Sequence, residues 1–162
     1  MGRYNAAVDM VDRNVAEGRG GKTAFIDPSR RLTYGELADG VARVGPMLAR
    51  LGLQREDRVA MIMLDTVDFP VLFWGAIRAG IIPIPLNTLL PVEQFRYILE
   101  DSRAKALFVS PPFLKAAETA MAMIDVIRAG ARGYLVKDRA EEILEGIQRV
   151  LQGEIYVSEE LQ

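Results

Sequence analysis

Apolar positions at the start of the chain follow helical spacing and then strand-like spacing. Residues 4–17 are predicted to form a helix, because their apolar side chains recur on one face. A glycine-rich stretch ends this helix, and two short runs, Thr23–Ile26 and Arg31–Thr33, predict a β-hairpin. The hairpin leads into a long helix, at whose start Thr33 and Glu36 match a capping box.

Beyond this second helix, continuous apolar runs alternate with segments of helical spacing. Four runs are predicted strands, at residues 59–64, 81–86, 104–110 and 133–136. The helical segments lie at residues 67–79, 91–101, 113–129 and 138–151. Strands that alternate with helices indicate βαβ units and a parallel sheet. We therefore expect residues 1–162 to form one three-layer α/β domain with a mainly parallel four-stranded sheet, flavodoxin- or Rossmann-like, to which the N-terminal helix and β-hairpin are appended.

The second predicted strand is expected at an edge of the sheet. Pro83 and Pro85 have no N–H group to donate to a neighbouring strand, and proline in sheets is confined to edges and bulges. We expect the spatial strand order 2-1-3-4, which places the last strand at the other edge. A sheet with two open edges makes self-association through strand pairing possible.

The composition of the chain excludes several classes of function. The chain has 20 Lys and Arg against 22 Asp and Glu, a balance that predicts neither nucleic-acid binding nor attraction to an anionic membrane. It contains no Cys and no His, which excludes disulfides, thiol nucleophiles, Ser-His-Asp triads and the commonest metal ligand. No apolar run reaches the length of a membrane span, and the first residues form no signal-peptide core. We therefore expect a cytoplasmic protein that requires no partner.

Residues 16–23 match a relaxed phosphate-loop pattern that ends in Lys22 and Thr23. A working phosphate loop follows a strand and opens a helix, so that helical N–H groups point at the phosphate. Here the pattern follows a predicted helix and precedes a predicted strand. We therefore expect an ordinary loop at this position.

Residues from about 4 to 114 resemble the N-terminal part of benzoate–CoA ligases, which are adenylate-forming acyl-CoA synthetases. The motifs that carry the resemblance occur in the order and spacing of that family, at Gly21–Asp27, Leu32–Leu37, Asp57–Asp65, Phe73–Gly80 and Pro83–Leu90. The resemblance implies an ATP-dependent acid–thiol ligase. That family holds ATP phosphates on a Ser/Thr/Gly-rich loop and uses a lysine of a C-terminal domain, and neither feature is found in this sequence. We therefore assign no catalytic, cofactor-binding or metal-binding residue, and no cofactor.

Residues from about 121 to 161 resemble the C-terminal part of a response-regulator receiver domain. The run Val126–Asp138 carries this second resemblance. Two resemblances in one chain predict a chimera of a ligase-like part, residues 1–114, and a receiver-like part, residues 121–162, with a seam at residues 115–120. The expected function is a recombined, engineered scaffold without native catalytic activity. A truncated or residual benzoate–CoA ligase and a receiver-like signalling or interaction module are the alternatives.

Three polar residues follow predicted strands and are expected at one edge of the sheet. They are Asp65, Ser110 and Lys137, and the receiver resemblance implies that Lys137 matches the lysine of the phosphoacceptor site. Because α/β sheets bind ligands at the carboxyl ends of their strands, these residues form a candidate anion site or vestigial receiver site. In the alternative interpretation Asp65 caps the following helix and Lys137 is a solvated loop charge.

Overall fold

The computed structural model describes residues 4–122 and 134–136, and the structural statements below concern this part of the chain. The predicted helix at residues 138–151 lies outside it. No helix within the described part is long and apolar enough to cross a membrane.

The N-terminal segment is helical and contains two π-helical stretches, Val8–Asp12 and Val15–Arg19. Asn5 begins it and also fixes its position. The Asn5 Oδ1 atom accepts a hydrogen bond from the backbone N–H of Ala7 at 3.0 Å, while its Nδ2 atom donates to the carbonyl of Ile77 at 3.1 Å. One side chain therefore caps the N-terminal segment and ties it to the end of a distant helix.

The predicted hairpin and capping box are confirmed. Strands β1 (Thr23–Ile26) and β2 (Arg31–Thr33) pair antiparallel. Helix α1 (Tyr34–Arg50) begins directly after β2. The Glu36 carboxylate accepts from the Thr33 N–H at 2.8 Å, and the Thr33 hydroxyl accepts from the Glu36 N–H at 3.3 Å. Each residue thus satisfies a free N–H group of the other at the start of the helix.

The main sheet has four parallel strands, and its order is the one predicted. The strands are β3 (Arg58–Ile62), β4 (Ile82–Pro85), β5 (Ala106–Val109) and β6 (Tyr134–Val136). They lie in the order β4-β3-β5-β6, with every neighbouring pair parallel. The connecting elements are α2 (Asp68–Ala79), α3 (Val92–Ser102), a 3₁₀ turn (Pro111–Phe113) and α4 (Leu114–Ala122). The narrower likeness to flavodoxin stays a prediction.

Helices cover both faces of the sheet, which gives the three predicted layers. Along β3, Val59 and Met61 belong to a core shared with helices α1 and α2. The alternate residues Ala60 and Ile62 belong to a second core, shared with α3 and α4. Because successive side chains of a strand point to opposite faces, a strand buried on both faces is apolar throughout. A third, smaller core joins Val11 and the hairpin to α1.

Helices α1 and α2 approach closely at two glycines. A Cβ atom added at Gly75 would lie 2.3 Å from the Cβ atom of Val44, and one added at Gly40 would lie 2.9 Å from a methyl of Val71. Real Cβ atoms essentially never approach other heavy atoms within 3.0 Å. The spacing of these two helices therefore depends on the missing side chains.

Strand β4 is an edge strand, as the prolines predicted, since it pairs with β3 alone among the described strands. The N–H groups of Ile82 and Leu86 donate to carbonyls on the β3 side at 2.8 and 2.9 Å. Residues 83 and 85 alternate with them, so an N–H group there would point away from β3. Both are prolines, and this edge therefore presents no N–H donor at those positions.

Candidate functional site at the carboxyl edge of the sheet

Ser110 lies at the carboxyl end of β5, where it holds the segment that leaves β3. Its side chain is buried. The Ser110 hydroxyl oxygen accepts a hydrogen bond from the Leu64 N–H at 2.9 Å, and the Ser110 N–H donates to the Ile62 carbonyl at 2.9 Å. This residue therefore extends the pairing of β3 and β5 past the end of both strands.

Of the predicted cluster of Asp65, Ser110 and Lys137, the structure describes the first two residues. Asp65 is exposed on the segment after β3, and within the described residues its carboxylate makes no hydrogen bond to Ser110. Lys137 lies outside the described residues. The three-residue anion site therefore stays a prediction, and the observed role of Ser110 is to bind the backbone of Leu64.

Asp27, which lies between strands β1 and β2, brings a carboxylate to the start of α2. Its Oδ2 atom accepts from the Val67 N–H at 3.0 Å, in the turn that opens α2. The alternative in which Asp65 caps this helix stays a prediction. A carboxylate far away in sequence reaches the helix, because the hairpin folds back against its first turn.

Asp27 is surrounded by donors. Its Oδ1 atom accepts from the Ser29 N–H, the Ser29 hydroxyl and the Arg30 N–H at 2.8, 2.7 and 2.8 Å. The bond from the Val67 N–H, together with these three, holds the pKa of the Asp27 carboxyl well below its ordinary value. Arg30 also forms an ion pair with Asp68 in the first turn of α2. The hairpin turn and the helix start thus form one hydrogen-bonded unit.

The opposite, amino edge of the sheet is charged. The Lys105 ammonium lies 2.8 Å from the Asp57 carboxylate and joins the segments that enter β5 and β3. This hydrogen bond, with a second from the Gln54 N–H at 2.7 Å, lowers the pKa of the Asp57 carboxyl. Arg55, Glu56 and Arg58 are exposed beside it. We attribute a structural role to this edge.

The stretch that matches a phosphate-loop pattern is an ordinary loop. It runs from the second π-helical stretch into β1. The carbonyls of Gly20 and Lys22 accept from the N–H groups of Gly35 and Tyr34 at 2.8 and 2.9 Å. Carbonyl oxygens therefore occupy the N–H groups at the start of α1, the position that a phosphate would need.

In the described part of the chain, no group of three or more acidic side chains lies close enough together to hold a metal ion. What these residues do offer at the carboxyl edge is a rigid frame, in which Ser110 and Asp27 fix the two ends of the segment between β3 and α2.

Comparison with known proteins decides the family. The family model described as AMP-binding enzyme matches residues 12–157. The chain belongs to the AMP-binding enzyme family. Helices, sheet and hairpin are therefore those of an N-terminal portion of an AMP-binding enzyme.

Two relatives of this AMP-binding chain are ligases for aromatic acids. A 4-hydroxybenzoate–CoA/benzoate–CoA ligase of Rhodopseudomonas palustris is 66% identical over 125 residues, 77% of this chain and 23% of the relative. A benzoate–CoA ligase of Thauera aromatica is 50% identical over 113 residues, 69% of this chain and 21% of the relative. The chain thus spans about a quarter of the length of the relatives that it matches.

Solved structures of this family agree with the fold. A benzoate CoA ligase from Burkholderia xenovorans LB400 superposes with a TM-score of 0.77 at 33% identity, over 88% of this chain and 28% of that one. The anthranilate CoA ligase AuaEII, solved in complex with anthranoyl-AMP, superposes with a TM-score of 0.77 at 30% identity, over 90% of this chain and 27% of that one.

The interpretation of the chain as a recombined, engineered scaffold is wrong. The AMP-binding match runs without interruption through the predicted seam at residues 115–120 and on to residue 157. One family thus accounts for the part that was attributed to a receiver domain. The receiver resemblance rested on short runs within residues 121–161, and the comparisons give it no support. The resemblance of the first 114 residues to benzoate–CoA ligases is confirmed.

Proposed function

We propose that the chain is an N-terminal segment of an ATP-dependent CoA ligase for benzoate and related aromatic acids. The observation that carries the proposal is the 66% identity over 125 residues to the Rhodopseudomonas palustris ligase, whose substrates are named as 4-hydroxybenzoate and benzoate. Identity falls to 34% against a 3-hydroxybenzoate–CoA ligase of Aromatoleum. The difference favours benzoate and its 4-hydroxy derivative as the acids.

The proposed reaction has two steps. The oxygen of the acid's carboxylate attacks the α-phosphorus of ATP, a P–O bond forms, and pyrophosphate leaves. The thiolate of CoA then attacks the acyl carbon, the thioester C–S bond forms, and AMP leaves with the electron pair of the broken C–O bond. An acyl-AMP of this kind is present in the solved anthranilate CoA ligase, which supports the first step for a related acid.

The residues of this segment contribute a frame to that reaction. In open α/β sheets, ligands bind outside the carboxyl ends of the strands. Ser110 and Asp27 fix the segment between β3 and α2 at that edge through backbone N–H groups. We assign to them the positioning of this edge and assign no catalytic residue within the chain.

Replacement of the matching segment in the Rhodopseudomonas palustris ligase tests the proposal. The full-length ligase receives the 125 matched residues of this chain in place of its own corresponding residues, which gives a hybrid ligase. Benzoate-dependent ATP–pyrophosphate exchange and benzoyl-CoA formation should then stay within about tenfold of the parent enzyme, a change of ~1.4 kcal/mol in transition-state stabilisation.

Two controls frame this measurement. The parent ligase gives the reference rate, and the 162-residue chain alone should give background exchange, since it covers about a quarter of the relative. A folded hybrid ligase without exchange above background would contradict the proposal. A hybrid that prefers an aliphatic acid to benzoate would contradict the assigned substrate class.

A further inference from the structure

The two edges of the main sheet differ in the side chains that they expose. At the amino edge Arg55, Glu56 and Arg58 are exposed, and Lys105 pairs with Asp57. Charged side chains of this kind suit contact with water. Among the described residues, the carboxyl edge exposes two large apolar side chains, those of Leu64 and Leu89, and the amino edge exposes that of Ile82 among these charges.

Two leucines stand out at the carboxyl edge. Leu64 follows β3 and is 41% exposed, and Leu89 follows β4 and is 88% exposed. They lie at the same edge of the sheet, because each follows the carboxyl end of one of two paired parallel strands, β3 and β4. We define Leu64 and Leu89 as the carboxyl-edge patch.

Both leucines are held in place by their own backbone. The Leu64 N–H donates to the buried Ser110 hydroxyl at 2.9 Å, and the Leu89 N–H donates to the Asn87 side-chain oxygen at 2.9 Å. Side chains on an ordered backbone have lost part of the entropy that binding would otherwise cost. Exposed apolar groups at one edge of a sheet are suited to contact with protein.

We propose that the carboxyl-edge patch is the surface against which the rest of the ligase packs, with Leu64 and Leu89 as its apolar anchors. This inference rests on the proposed function. The occupant follows from length, since the chain spans 23% of its Rhodopseudomonas palustris relative and 36% of the solved N-terminal domain of the Mycobacterium tuberculosis protein FACL13. More than half of such a domain thus remains to be placed, and the apolar edge is where it meets this segment.

Lysine substitutions in two settings test the patch. Leu64→Lys and Leu89→Lys are introduced together into the 162-residue chain and into the hybrid ligase described above. The matched control is Ile82→Lys, because Ile82 is 43% exposed and lies at the amino end of β4. The readout is the temperature of thermal unfolding, which does not depend on catalysis.

In the hybrid ligase we expect the double substitution to lower the unfolding temperature by about 4 °C or more, and Ile82→Lys to change it by less than about 1 °C. In the chain alone both changes should stay below about 1 °C. An unchanged hybrid, an equal effect of Ile82→Lys, or an equal loss in the chain alone would overturn the inference. A folded hybrid that is inactive but shows the expected shift would overturn the proposed function alone.

Discussion

The close approach of α1 and α2 makes Gly75 the most sensitive position in the described part of the chain. In Gly75→Ala the new methyl would lie 2.3, 2.6 and 2.7 Å from three carbon atoms of buried Val44. Ordinary contact begins at 3.4 Å, so the helices must separate by about 1 Å. Overpacking of this kind costs up to about 3 kcal/mol, and the better helix propensity of alanine returns about 1 kcal/mol.

We therefore expect Gly75→Ala to destabilise the protein by about 2 kcal/mol, which lowers the unfolding temperature by about 4–8 °C in a chain of this size. Thermal unfolding followed by far-UV circular dichroism and by the fluorescence of Trp74, the single tryptophan, measures this loss. Coincident transitions would show that both probes follow one cooperative unit.

Gly40→Ala is the matched control in the same helix pair. Its methyl would meet the Val71 methyls at 2.9 and 3.2 Å, and Val71 is only half-buried and has room to shift. We expect a loss below about 1 kcal/mol, since the gain in propensity offsets most of the contact. In the double variant Val44→Gly/Gly75→Ala the loss of stability should be smaller than the sum of the two single losses, because the Val44 side-chain atoms that the new methyl would meet are absent. A Gly75→Ala variant as stable as the parent would refute the reasoning.

Two further predictions concern the carboxyl edge. The folded pKa of Asp27 lies below its unfolded value of about 3.9, so its contribution to stability is present above that pH and is lost as the pH falls through the folded pKa. Asp27→Asn should therefore lower the denaturant midpoint at pH 7, and its difference from the parent should narrow as the pH falls below about 3.9 and on through the folded pKa, whereas a constant difference would contradict this account. Ser110→Ala leaves the Leu64 N–H without its acceptor and should cost about 1–2 kcal/mol in urea unfolding. The control Thr119→Ala, at an exposed hydroxyl that donates to the Lys115 carbonyl within α4, should cost less than about 0.5 kcal/mol, and equal losses would contradict the assigned role of Ser110.

Local signals in the sequence were enough to predict the elements of the fold. The capping box at Thr33 and Glu36 is a contact between residues three positions apart, so its pattern is visible in the sequence. The two prolines of β4 excluded a central position in the sheet. The spatial order of the strands has no local signal in the sequence; the expected order 2-1-3-4 only placed the last strand beyond the ligase-like part, and the structure has that order.

The contacts that fix the site are not local, and the sequence did not predict them. Asp27 and Val67 lie 40 positions apart, and Leu64 and Ser110 lie 46 apart. Aspartate is common in turns such as Asp-Pro-Ser, so the presence of Asp27 there is already explained. Nothing in the neighbouring sequence indicates that it also contacts a distant helix. The close approach at Gly75 could not be predicted either, because the sequence around a glycine inside a helix does not indicate which residue of another helix packs against it.

The two prolines of β4 also determine at which edge of the sheet a further strand can pair. A new strand at that edge would find no N–H donor at positions 83 and 85, whereas β5 leaves its other side open to β6. As a chain leaves the ribosome, β3 and β4 emerge before the strands that complete the sheet. While the sheet is incomplete, a further strand therefore pairs less readily at this edge than beside β5. The prolines thus disfavour pairing of this edge with a neighbouring chain at the stage when apolar strands are most exposed to aggregation.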